Sequence, residues 1–174
     1  AVIGDFAFDP RYQGAGSSMV NSTKVDSIKD MLETSGISVT GIVRGYQRDG
    51  KEDEAMKKEA VDLARRSDVV LFFFGLNEKS ETEGLDRKHL RIPQNQINLI
   101  QELAKANANM VGIISAGSVI EMPWHHHFKA LLHTALMGQA GAGAVLDSLS
   151  GKVNPSGRLN ETYPVYYKDT PAYA

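Results

Sequence analysis

The 174-residue chain has no cysteine, which excludes disulfides and thiolate metal sites and leaves the redox compartment open. No apolar run approaches the roughly 18 residues that a membrane span needs. The longest, Val69 to Leu76 with Gly75 inside it, has the length of a buried strand. An excess of one charge is also missing. The formal charge is only −2, so no strong field draws the chain to nucleic acid or an anionic membrane, and neither partner is expected. The glycine-rich run Gly14-Ala15-Gly16-Ser17-Ser18 lacks both the Gly-Lys-Ser/Thr of a phosphate loop and the spacing of a dinucleotide fingerprint. No cofactor is expected. A stand-alone flavodoxin-like nucleotide- or ligand-binding module is the alternative reading, and a purely structural domain is a third.

What is present suits one soluble domain: 42 % hydrophobic and 23 % charged residues, enough for a single substantial core. Short β-rich runs alternate with amphipathic stretches. Strands are expected over 1–4, 37–43, 69–74, 110–114, 130–137 and 159–163. Helices are expected over 22–35, 52–67, from Pro93 past Ala104, and over 138–148. Gly36 supplies a helix stop, and the acid-rich start of the second helix suits its dipole. This order predicts an α/β fold: a doubly wound, mostly parallel six-stranded sheet with helices on both faces. Function should then sit in the loops beyond the carboxyl ends of the strands, here 5–18, 77–91 and 115–127. The chain begins inside a strand without a methionine and ends in a Pro/Tyr-rich stretch. The expectation is a domain over 1–164 and a linker over 165–174 toward a missing domain. Location is open, with a slight lean to the cytoplasm for a soluble chain.

The loop 77–91 carries Glu78, Glu81, Glu83 and Asp86 among four cations, and by composition it is a solvated charged loop. A general acid needs one carboxyl set apart by cover or like charge, which composition cannot supply. Three consecutive histidines, His125 to His127, could place at most two rings toward one metal and lack partners at zinc spacing. They read as a solvated loop, and no metal site is expected. Trp124 reads as a core or interdomain aromatic. Met19, Met56 and Met110 read as gap fillers.

Ordered motifs change the weight on that loop. Glu81-Thr82-Glu83-Gly84-Leu85-Asp86-Arg87, with Leu90-Arg91-Ile92-Pro93 and Gln96, resembles the acid/base loop of family 3 glycoside hydrolases. Arg11 to Ser18, Ser115 to Trp124, Gly138 to Ala144 and Asn154 to Pro164 resemble four further segments of that family in the same order. The resemblance implies a retaining exo-β-glycosidase, β-glucosidase-like, in which one carboxylate attacks the anomeric carbon. A second protonates the leaving oxygen and then deprotonates water. It assigns the acid/base role to Glu83, before the glycine, and puts Arg11 and Tyr12 beside the leaving group as substrate-binding residues. Asp86 and Arg87 fall at positions that stiffen the loop, and Leu85 stands where an aromatic is frequent. The family's nucleophile and sugar clamp lie on a TIM-barrel-like domain of the same polypeptide. Nothing in this chain matches them, Lys88-His89 included. The expected partners are that barrel and a β-glycoside bound in the cleft between the two domains.

Overall fold

The computed structural model describes residues 1–173. Five strands form one sheet: β1 (Val2–Ile3), β2 (Ile42–Val43), β3 (Val70–Gly75), β4 (Met110–Ser115) and β5 (Ala130–His133). They lie in the order β2-β1-β3-β4-β5, and every pair is parallel. Four helices cover it: α1 (Ile28–Ser35), α2 (Glu54–Arg65), α3 (Gln94–Ala106) and α4 (Gly141–Leu149). On one face α2 and α3 present Ala60, Leu63, Leu99 and Leu103 to Ile3, Phe72, Phe74 and Ile114. On the other, α1 and α4 present Ile28, Leu32, Val145 and Leu146 to Val2, Phe73 and Ile113. Side chains alternate along a strand, so a strand covered on both faces must be apolar throughout, and this explains the unbroken run in β3. Among the described residues no helix is long and apolar enough to cross a membrane.

Local chemistry sets the element ends. Ser27 caps α1 by accepting from the Asp30 N–H, a contact that contributes about 1 kcal/mol. Gly36 ends the helix in the left-handed conformation. Gly75 closes β3 with φ +144°, and a Cβ there would lie 2.0 Å from the Ser115 carbonyl oxygen, so only glycine fits. The Gly75 N–H is taken up by Gln96 Oε1 at 3.0 Å, which ties the end of β3 to α3.

Three expected strands differ from the observed ones. The segment 37–43 pairs only at Ile42–Val43, because β2 is an edge whose one neighbour, β1, offers two rungs. The strand from Ala130 stops at His133, since Ala135 takes φ +51° and turns the chain away. The expected sixth strand over 159–163 is absent: no backbone hydrogen bond joins it to the sheet, Leu159 is exposed, and only Tyr163 packs on the core. A short segment becomes a strand only where a sheet edge lies within hydrogen-bonding reach. Within the expected linker, residues 167–169 form a turn whose Tyr167 N–H is accepted by Glu121 at 2.8 Å. Ala174, its last residue, lies outside the described residues.

Candidate active site

The sheet reverses its winding direction between β1 and β3, because β1 lies between β2 and β3. Loops leaving neighbouring strands at such a point diverge and frame a crevice. The loops following β1 and β3 meet here. Ala15 and Thr82 form an isolated parallel bridge, and beside it the exposed Glu83 carboxylate accepts from the Ser17 N–H at 2.8 Å and from the Ser17 hydroxyl. Gly16 makes the approach possible. Its φ is +90°, and a Cβ there would sit 2.8 Å from the Glu83 Cβ. The Ser17 hydroxyl, then its N–H, hold the Glu83 carboxyl below the usual carboxylate range.

That depression gives a direct test. Ser17→Ala removes the larger cause, so the Glu83 carboxyl should titrate closer to its ordinary value, as read by carbon-13 NMR of the side chain. An unchanged midpoint would mean that Ser17 does not hold the carboxylate in solution. The sign for stability follows from linkage: a depressed carboxyl contributes above its unfolded pKa, and the contribution is lost as pH falls through the folded value.

Two residues earlier, Glu81 faces inward, with its side chain 9 % exposed. Both of its oxygens accept from the Gly117 N–H at 3.0 Å, and Oε1 accepts from the Ser118 hydroxyl at 2.6 Å. The Arg11 guanidinium lies 3.6 Å from Oε2. Arg11 is 1 % exposed, and among the described residues its nitrogens make no hydrogen bond. Arg11, expected beside the leaving group, is buried, and its charged neighbour is Glu81. Tyr12 is partly buried, with its hydroxyl accepting from Gln13 Nε2 at 2.8 Å and its carbonyl from the Gly138 N–H. Arg87 donates to the Ser118 hydroxyl and the Val119 carbonyl at 2.8 and 2.7 Å, bracing the far side of the loop. Burial lowers its pKa. Asp86 is exposed and makes no side-chain hydrogen bond or ion pair among the described residues.

A charged cluster braces the base of the same loops. Asp5, just past β1, accepts from Arg44 and, at 2.7 Å, from Arg48 Nε. Arg48 also reaches Glu78 at 3.2 Å, and its carbonyl accepts from Asn77 at 2.7 Å. The two guanidinium groups lie over the rings of Phe8 and Phe6 at 4.6 and 4.9 Å. Neither this cluster nor the contacts of Ser17 and Glu81 is visible in sequence, since the partners lie 29 or more positions apart and no spacing links them.

The remaining candidates are less connected to this crevice. His125–His127 form one short turn whose adjacent rings sit 5.9 and 4.1 Å apart. Among the described residues no group of three or more His, Asp or Glu side chains is set to hold a metal ion. Trp124 lies in the core, edge-on to Phe74 and Phe128, and Met110 is buried there too. Met19 is 61 % exposed and fills no gap, because its loop stands off the body. A second hollow, about 570 Å³, lies between β5 and the segment 155–163. In it His133 Nδ1 accepts from the Ala135 N–H, so Nε2 carries the proton toward the Tyr163 oxygen at 2.9 Å. Burial lowers the His133 pKa against the opposing pull of Glu81 and Glu161.

The parallel sandwich, with braced, carboxylate-bearing loops at its reversal point, is a doubly wound α/β domain whose crevice lies where such folds take a ligand. The particular family follows from comparison. The model described as "Glycosyl hydrolase family 3 C-terminal domain" matches residues 1–174, and the chain belongs to that family. It is 44 % identical to an exo-alpha-(1->6)-L-arabinopyranosidase of Bifidobacterium breve over 99 % of this chain and 23 % of that protein. It is 42 % identical to thermostable beta-glucosidase B of Acetivibrio thermocellus, again over 99 % of this chain and 23 % of the relative. The crystal structure of the GH3 beta-glucosidase of Bifidobacterium adolescentis superposes with a TM-score of 0.91 at 43 % identity, covering 98 % of this chain and 25 % of that one. The chain thus spans about a quarter of the length of the relatives it matches.

Proposed function

We propose that this chain is the acid/base-bearing domain of a retaining exo-β-glycosidase, β-glucosidase-like, whose nucleophile lies on a barrel domain of the same polypeptide. The observation that carries the reading is Glu83: an exposed carboxylate at the reversal point of the sheet, held by the neighbouring loop and open to a ligand. Its oxygens lie where a second domain could bring an anomeric carbon. In the first step the partner carboxylate bonds to that carbon while the C–O bond breaks, and Glu83 delivers its proton to the departing oxygen. In the second step a water oxygen bonds to the carbon, its proton passes to Glu83, and the nucleophile departs. Two carboxyls about 5–5.5 Å apart are required for this course.

Tyr12 then lies on the leaving-group side, and Arg11 acts behind it through Glu81. Met19, Val20 and Leu85 are large exposed apolar side chains on the same two loops. A covering domain would bury them and strengthen every electrostatic interaction at Glu83. The nucleotide-module reading loses support: the glycine-rich run does not open a helix, since α1 starts ten residues beyond Ser18, and its Ser17 N–H is occupied by Glu83.

The isolated 174-residue chain, offered an aryl β-glucoside, should give no turnover above background, because it holds half of the catalytic pair. Turnover that disappears in Glu83→Gln would overturn the proposal that the nucleophile lies elsewhere.

A further inference from the structure

We infer that Glu81 is a positioning residue whose carboxylate, joined to Arg11, Gly117 and Ser118, fixes the short bracket that presents Glu83. This rests on the reading of Glu83 as the acid/base. Each residue of the bracket is tied to a different neighbour. Glu81 accepts from the loop after β4 and pairs with Arg11 from the loop after β1. Thr82 bridges to Ala15, and Glu83 is held by Ser17. Beyond Gly84, with φ +77° and open space around it, the chain is exposed until Arg87 pins it again. Of these ties, only that of Glu81 joins all three loops at one point.

The arrangement around Arg11 makes the tie hard to replace. A guanidinium 1 % exposed has, among the described residues, one anion paired with it, the Glu81 carboxylate at 3.6 Å, and no acceptor in hydrogen-bonding range. Moving Glu81 would leave a buried cation unpaired, so the ion pair resists displacement. The rigidity is passed along two peptide units to Glu83. General acid catalysis requires the donor within hydrogen-bond reach of the departing oxygen. A shift of about 1 Å there costs on the order of a hundredfold in rate.

The test uses the full polypeptide carrying this chain and two substrates, phenyl and 2,4-dinitrophenyl β-glucoside. A dinitrophenolate leaves without a proton, whereas a phenolate needs one. Glu81→Gln should lower kcat/KM about tenfold to a hundredfold on the phenyl glucoside and by less than about threefold on the dinitrophenyl one. Sodium azide should not restore the rate, because the Glu83 carboxylate is still present. Since the lone Arg11 charge threatens folding, Arg11→Met/Glu81→Gln is made alongside, removing both charges. It should keep the thermal midpoint near that of the parent and show the same selective loss. Equal losses on the two substrates, no loss, or failure of both variants to fold would assign Glu81 to stability alone and overturn the inference. Glu83→Gln runs beside them: if it spares the phenyl glucoside, the acid/base reading itself fails, whatever Glu81 does.

Discussion

Glu83→Gln, in the full polypeptide, should cost about 10²- to 10⁴-fold in kcat/KM on glycosides with poor leaving groups, the span over which general acid catalysis operates. An amide can accept the same hydrogen bond from the Ser17 N–H but has no proton to give. On a dinitrophenyl glycoside the first step needs no acid, so the loss moves to the second step, where water is no longer deprotonated. A burst followed by slow turnover should appear. Azide, which needs no base, should restore turnover and yield a glycosyl azide. The high-pH limb of the rate profile, set by loss of the acid's proton, should vanish as well. In the isolated domain Ser17 holds this carboxyl low, favouring its ionised form. Apolar cover and a second carboxylate on the docked partner would act in the opposite direction. A variant with an unchanged rate on phenyl glycosides would remove Glu83 from the reaction.

The largest stability effect is expected at Phe74→Ala. Phe74 is fully buried on the α2–α3 face of β3. Its ring stacks on Phe72 with centroids 4.8 Å apart and on Phe128 at 5.5 Å, and meets Trp124 edge-on at 5.0 Å. Truncation removes the burial and leaves a cavity between rigid rings, a loss of about 3–5 kcal/mol. Three broken ring pairs, each worth about 0.5–1.5 kcal/mol beyond its area, put the expected loss toward the upper end of that range. Against a typical domain stability of about 5–15 kcal/mol, this is a large share. Urea denaturation should show the midpoint falling sharply with the slope unchanged. Leu85→Ala, at a residue 67 % exposed, should shift stability by less than about 0.5 kcal/mol. A loss below about 1 kcal/mol at Phe74 would mean that the aromatic cluster is not the centre of the core.

Elements with a strong local period are legible in the sequence. The second helix was expected over 52–67 and runs Glu54–Arg65. The central strand was expected over 69–74 and runs Val70–Gly75. Both are fixed by spacing of apolar residues within a dozen positions. The sheet edges were not legible. Leu159 to Tyr163 has the length of a strand, yet it lies away from β5, because pairing is a property of two segments and only one is written in the local sequence. Trp124 was assigned to the core or an interdomain contact, and the core claims it through Phe74, 50 positions upstream.

The loop 77–91 divides along the same line. By itself the sequence determined that a carboxylate-rich loop follows a doubly covered strand, and the proposal of Glu83 within it rests on the resemblance of its motif to the family's acid/base loop. Only the tertiary structure decided which acids face inward. Glu81 and Glu83 are two residues apart in a chain of like composition, and composition treats them alike. Folding sends one to a buried arginine and two donors of the next loop, and the other to a serine at the surface. The physical reason is that hydrogen bonding and burial are decided by partners brought in from other strands. Ser17 lies 66 positions from Glu83, and Ser118 lies 37 from Glu81. The parallel sheet, with its reversal between β1 and β3, is what puts them in reach.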